Sequence, residues 1–201
     1  MRLLKSASPL ELSLLLYPRI VALHALDSGT GFPDPSTGHL VLPPTLRASF
    51  SRIEEGGAYL IDDGQVCILW LHARVSPHLL EDLFGPDHTS LSSLDPFLSS
   101  LPVLETHLNC QIRNLLAYWG SVRGSKQLTL QLARQGLDGA EYEFARMLVE
   151  DRNNEAQSYV DWLVHVHRGI QLELAGQRKK DDGGGGAGGG GMTEGLRAMG
   201  W

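Results

Sequence analysis

Histidine is the residue type that most invites a metal reading, and the sequence holds eight. Two of them, His165 and His167, stand two positions apart in a segment of helical periodicity. On a helix that spacing turns them about 200° from each other, onto nearly opposite faces. A zinc pair on a helix needs the i, i+4 spacing of HExxH, which does not occur. His167 is read as part of an apolar stripe, with a hydrogen-bonded ring nitrogen, and His165 as facing water. Cys67 and Cys110 lie far apart and outside any CxxC pattern, so they read as small core thiols of a reducing compartment. Acyl transfer would ask for a nucleophile on a strained turn, as in GxSxG, and no such run occurs. The serines fall at helix starts and in loops, where their oxygens bond backbone amides. GxxxxGK[ST] is absent, and GxGxxG occurs only within a glycine run that follows no strand. The residues thus predict no catalytic, cofactor-binding or metal site, and the chain reads as a protein that is not an enzyme.

Charge and composition narrow the partners. The net charge is -6 and the pI about 5.7, so there is no basic face for phosphate, and nucleic acid is excluded. The basic run Arg178, Lys179, Lys180 is cancelled by Asp181 and Asp182. Hydrophobic residues make up 42% and aromatics 7%, which predicts an aliphatic, leucine-rich core. No segment reaches the ~18 consecutive apolar residues of a membrane helix. The opening MRLLKSASPLELSLLLYPRIVAL is broken by Pro9, Glu11, Pro18 and Arg19, which argues against a signal peptide.

The elements follow from caps, breakers and periodicity. Ser8-Pro9 opens a helix to about Leu16, apolar nearly all round and therefore expected to be buried. Ile20 to Leu26 reads as a strand, and Asp27 to Pro44 as a solvated connector. Ser51 with Glu54 predicts a capped helical turn. Ala58–Ile61 and Val66–Leu71 predict a hairpin around Asp63-Gly64. Ser76-Pro77 opens a helix that stops at Gly85-Pro86. Leu104, Leu108, Ile112, Leu115, Leu116 and Trp119 predict an amphipathic helix closed by Gly120. Gln127 to Leu132 alternates as a half-buried strand, and Ala140 to Glu150 reads as helical. Ser158 and Asp161 cap a last helix whose stripe of Val160, Leu163, Val164, His167, Ile170 and Leu174 should dock on the domain. The glycine-rich end cannot bury enough side chain to order itself and is expected to be a disordered tail. Strands and helices in this order predict an α+β fold with helices on both sides of the sheet.

Three stretches carry a family resemblance: LRASFSRIEEGGAYLIDDGQVCILWLHARVSPHLLEDLFG from Leu46, LPVLETHLNCQIRNLL from Leu101 and FARMLVEDRNNEAQSYVDWLVHVHRGIQ from Phe144. In this order they resemble the carboxy-terminal gelsolin-like and flanking helical segments of the Sec twenty-four family, cargo-adaptor subunit of the COPII vesicle coat. LLLYPRIVALHAL resembles the end of that family's helical domain. There are departures: the family's LDNPLS reads Leu104 to Asn109 here, and its glycine after the strand tryptophan is His72.

The resemblance implies the end of a helical domain at 1–26, a loop or linker at 27–47, a gelsolin-like domain at 48–150, a carboxy-terminal helical segment at 151–177 and the tail at 178–201. It implies a role in endoplasmic-reticulum-to-Golgi transport and cargo selection. The expected partners are COPII subunits of the Sec twenty-three family and cargo proteins, at the cytoplasmic side of the endoplasmic-reticulum membrane. The family's zinc finger and trunk would precede Met1, so no cofactor is expected in this chain. It reads as a fragment or a divergent paralogue, and the all-apolar first helix favours a sequence continuing upstream. A free-standing actin- or calcium-responsive gelsolin-like module is the alternative. Calcium needs six to eight oxygens. Asp62 and Asp63, read as turn residues, and Glu81 on the following helix would be an incomplete set.

Overall fold

The computed structural model describes residues 7–123, 129–152 and 157–176. Two compact units divide the chain, Met1–Asp151 and Arg152–Trp201.

In the first unit, helix α1 (Pro9–Leu16) starts where a capping box forms. Ser8 N–H donates to Glu11 Oε2 at 2.8 Å, and Glu11 N–H donates to Ser8 Oγ at 3.2 Å. Proline at the first helical position and an extended Tyr17 before Pro18 set its two ends. The helix is less buried than its composition predicts. Only Leu14 is buried, while Leu10 and Leu16 are exposed. The buried side rests on the hairpin turn, where a Cβ on Gly64 would meet Glu11 O at 3.1 Å and Leu14 Cβ at 3.3 Å. Gly64 also has a φ of 91°, so the turn conformation and the helix contact both require glycine there.

Four strands form one sheet in the order β1-β2-β3-β4. They are β1 (Arg19–Ala22), β2 (Ala58–Asp62), β3 (Cys67–Leu71) and β4 (Leu130–Arg134). The first two pairings are antiparallel, and the predicted hairpin is present with Ile61 opposite Ile68. Asp62 is a strand residue, fully buried, and not part of the turn as the sequence suggested. β4 pairs with β3 in parallel, which no local signal announced. Gln127, the expected start of that strand, lies outside the described residues, and the observed strand runs on to Arg134.

The connection between β3 and β4 carries α2 (Pro77–Phe84) and α3 (His107–Val122). α2 matches its expected bounds, with Ser76 Oγ accepting from Leu79 N–H at 3.2 Å. α3 begins after Thr106 and runs through Gly120, so that glycine is not a stop. Both helices pack on the sheet face made by Val21, Leu60, Leu69, Leu71 and Leu132. On the other face Ile20, Tyr59, Ile61, Ile68 and Trp70 meet Phe144, Met147 and Leu148. Phe144 sits on α4 (Ala140–Arg146), which ends four residues before the expected Glu150, and stacks on Trp70 at 4.8 Å. Ser49, not Ser51, caps the short 3-10 turn Phe50–Arg52.

The segment read as a solvated connector is pinned to α3. Gln111 Nε2 donates to Asp27 O at 2.7 Å and Thr30 O at 2.9 Å, and Asn114 Nδ2 donates to Gly31 O at 3.0 Å. A Cβ on Gly31 would stand 2.6 Å from Gln111 O, and its φ is 76°. Main-chain bonds such as Gly31 N–H to Val41 O at 2.8 Å fold the loop on itself, and the side-chain amides of α3 fasten it, so its composition alone could not reveal the docking.

The second unit contains α5 (Tyr159–Leu174), opened by the predicted Ser158–Asp161 capping box. Arg152 bonds Asp161 through Nε at 2.5 Å and Nη2 at 2.6 Å. Those bonds, reinforced by the Ser158 hydroxyl, hold the Asp161 carboxyl well below the usual carboxylate range. The stripe expected to dock is exposed: Val160, Leu163, Val164, His167, Ile170 and Leu174 all face solvent, as does His165. The expected tail, 178–201, lies outside the described residues.

Candidate functional site

Three polar arrangements organise the first unit. The deepest centres on Asp62, at the end of β2. Its carboxylate accepts from Arg19 Nη2 at 2.7 Å, from Arg123 Nη2, and from Gly64 N–H at 3.0 Å. Arg19 stands just after Pro18 at the start of β1, and Arg123 caps the end of α3, so strand, hairpin and helix meet on one carboxylate. The Arg19 guanidinium also lies 3.9 Å over the Trp119 ring. Arg19 Nε and Arg123 Nε are buried with no hydrogen-bond partner among the described residues. Burial pushes the neighbouring Cys67 thiol well up, and the Asp62 charge adds to that. Asp62 is thus committed to two guanidinium groups and one backbone amide. Asp63 is turned to the hairpin, where its Oδ1 accepts from Gln65 N–H at 2.8 Å and Val66 N–H at 2.9 Å. No group of three or more His, Cys, Asp or Glu side chains, Glu81 included, gathers around one point among the described residues. Cys67 and Cys110 are both free thiols.

The second arrangement is a clamp that sequence reasoning missed. Tyr17 O–H donates to Glu150 Oε1 at 2.5 Å, and Ala48 N–H donates to the Tyr17 oxygen at 3.1 Å. Arg47 reaches the same carboxylate through Nε at 3.1 Å. Asp151 accepts from Ser49 Oγ at 2.8 Å and Phe50 N–H at 2.5 Å. The Tyr17 bond, with Arg47, holds Glu150 below its ordinary value, and burial with the carboxylate contact raises Tyr17. The available signal was the pair of short words Tyr-Pro and Glu-Asp, whose partners lie more than a hundred residues away.

The third is a cleft of about 290 Å³ beside β1, between Ala22, His24 and the segment Pro44 to Glu54. Tyr59 underlies it, with its oxygen accepting from Glu54 N–H at 2.6 Å and its ring edge-on to His24 at 5.1 Å.

Comparison with known proteins decides the ancestry of this arrangement. A gelsolin-repeat family model matches residues 39–116. The protein transport protein SEC24 of Pyricularia oryzae is 37% identical over 166 residues, which cover 78% of this chain and 17% of that protein. SEC24 of Neosartorya fischeri is 34% identical over 168 residues, 80% of this chain and 18% of the relative. The crystal structure of the human COPII-coat protein Sec24c superposes with a TM-score of 0.68 at 33% identity, covering 82% of this chain and 20% of that one. The chain belongs to the Sec24 family. It represents the carboxy-terminal region of Sec24 proteins, a gelsolin-like sheet with flanking helices, and spans about a fifth of their length or less. Of the three stretches that carry the resemblance, the first builds the hairpin and α2, the second α3, and the third α4, the clamp acids and α5. No helix among the described residues is long and apolar enough to cross a membrane.

Proposed function

We propose that this chain serves the COPII coat as part of a cargo adaptor in endoplasmic-reticulum-to-Golgi transport. The observation that supports this most is the match to human Sec24c, in which fold and sequence agree over 82% of the chain. The role is mechanical: the sheet and its packed helices offer surfaces to coat subunits of the Sec twenty-three family and to cargo proteins. On this reading the chain is not an enzyme, requires no cofactor, binds no nucleic acid and works on the cytoplasmic side, peripheral to the membrane. An actin- or calcium-responsive gelsolin module is not favoured, because Asp62 is committed to Arg19 and Arg123.

Tagged product of the full transcript, expressed in its own cells, should concentrate at endoplasmic-reticulum exit sites and co-purify with the Sec twenty-three subunit. The 201-residue chain alone should do so more weakly. Diffuse localisation of the full product, with no coat subunit recovered, would reject the role.

A further inference from the structure

One edge of the sheet is only partly closed. In the β1–β2 ladder, Leu23 N–H donates to Ala58 O at 2.8 Å, and Val21 and Arg19 follow in register opposite Leu60 and Asp62. Backbone groups alternate along an antiparallel strand, so Ile20 and Ala22 turn theirs away from β2, toward the outer edge. Ile20 is met there, since Leu46 N–H donates to its carbonyl at 2.9 Å and the two residues form an antiparallel bridge. Carrying that register forward by two residues sets Pro44 opposite Ala22. Proline has no N–H to donate. At Pro44 that segment has no N–H to offer the Ala22 carbonyl, and neither the outward N–H nor the C=O of Ala22 has a backbone partner among the described residues.

The cleft described above opens at this gap. It presents a main-chain donor and acceptor on Ala22, an apolar wall of Pro44 and Leu46, and the Glu54 carboxylate, which sits 3.5 Å from His24 Nε2. At the rim stands the exposed Arg52, which makes no hydrogen bond or close ion pair with a described residue, although its charge acts at longer range on Glu150. Its neighbour Arg47, by contrast, is taken by Glu150 at 2.9 Å. A donor–acceptor pair on a strand edge, with side-chain surfaces on either side, is the demand an extended peptide meets.

We propose that this cleft binds a short extended peptide, which adds to the β1 edge by pairing with Ala22 and sets an acidic side chain against Arg52. Main-chain bonds hold the peptide, the Pro44–Leu46 wall selects an apolar side chain, and Arg52 selects the carboxylate. The site is independent of the coat assignment, since it rests on the edge geometry of this chain alone.

The test is a titration of the isotope-labelled full chain with the capped peptide acetyl-Val-Thr-Val-Glu-Val-amide, followed by amide NMR. Saturable shifts are expected at Ala22, His24, Leu46 and Arg52, with slowed exchange of the Ala22 N–H. Replacing the probe's Glu by Gln should weaken binding by up to about fivefold, the upper end for an exposed ion pair. That difference should vanish in Arg52→Ala. Pro44→Val restores an N–H opposite Ala22, so the chain should close its own edge and lose the probe while its circular dichroism stays that of the parent. The proposal is overturned if millimolar probe shifts none of these residues or shifts only others. It is also overturned if Pro44→Val, folded, binds the probe as the parent does.

Discussion

A carboxylate without solvent survives in a folded protein only with cations at hand. Asp62 has two, and each arrives from a different element. Removing the acid leaves Arg123 buried and unpaired beside Arg19, so Asp62→Ala should destabilise the first unit by about 3–5 kcal/mol, read from urea melts. Arg19→Ala should cost less, because its guanidinium is partly exposed and the Asp62–Arg123 pair remains. Glu150 makes the opposite use of solvent, at the rim of the domain. Its folded pKa lies below the ordinary 4.5, so the unfolded chain binds the proton more tightly. The stability it contributes is therefore complete above about pH 4.5 and is lost as pH falls through the depressed folded value. Glu150→Gln should flatten this acid limb of the urea midpoint against pH. A limb of unchanged steepness would show that Glu150 does not contribute to it.

At the scale of elements, burial sets which apolar residues matter. Ile112 on α3 is fully buried between the helix layer and the sheet, so Ile112→Ala should cost about 2–5 kcal/mol. Leu163 on α5 is 41% exposed, and Leu163→Ala should shift the melting midpoint by no more than about 0.5 kcal/mol allows. Paired thermal and urea melts compare the two, and equal losses would contradict the assignment of core and surface. The same contrast explains what could be read in advance. α1, the hairpin, α2 and the start of α5 announce themselves through contiguous signals: Ser-Pro, Asp-Gly, Ser before a helical stripe. The docking of the Asp27–Pro44 loop depends on Gln111 and Asn114, some eighty positions later, and leaves no local trace. Gly120 reads as a stop because glycine weakens helices, yet Trp119 packing carries α3 past it. Burial of the whole α1 surface was expected because the helix is apolar nearly all round, but composition does not supply a cover, and only Leu14 finds one.

At the scale of the molecule, the mixed sheet separates two cores, and the parallel β4 closes one flank by a return through α2 and α3. The family was legible in short words in the right order, because sequences of this family share their core strands and helix faces. The candidate sites were not. The clamp, the Asp62 centre and the gap at Ala22 each arise from residues that meet only after folding. Pro44 is the sharpest case: in the sequence it marks a loop, and in the fold it stands in register with Ala22 with no N–H to offer that strand edge.

Tyr17 and Glu150 stand 133 positions apart and yet share a hydrogen bond. The path between them leaves one place on the surface, builds the entire sheet and its helices, and comes back to the same place. Such a layout is an excursion with a single doorway. A longer host chain could carry it as an insert without stretching or re-routing its own backbone, because entry and exit coincide. Lengthening or shortening loops inside the excursion would then leave the host's own path undisturbed so long as the doorway holds. The Tyr-Pro and Glu-Asp words are the hinges of that door.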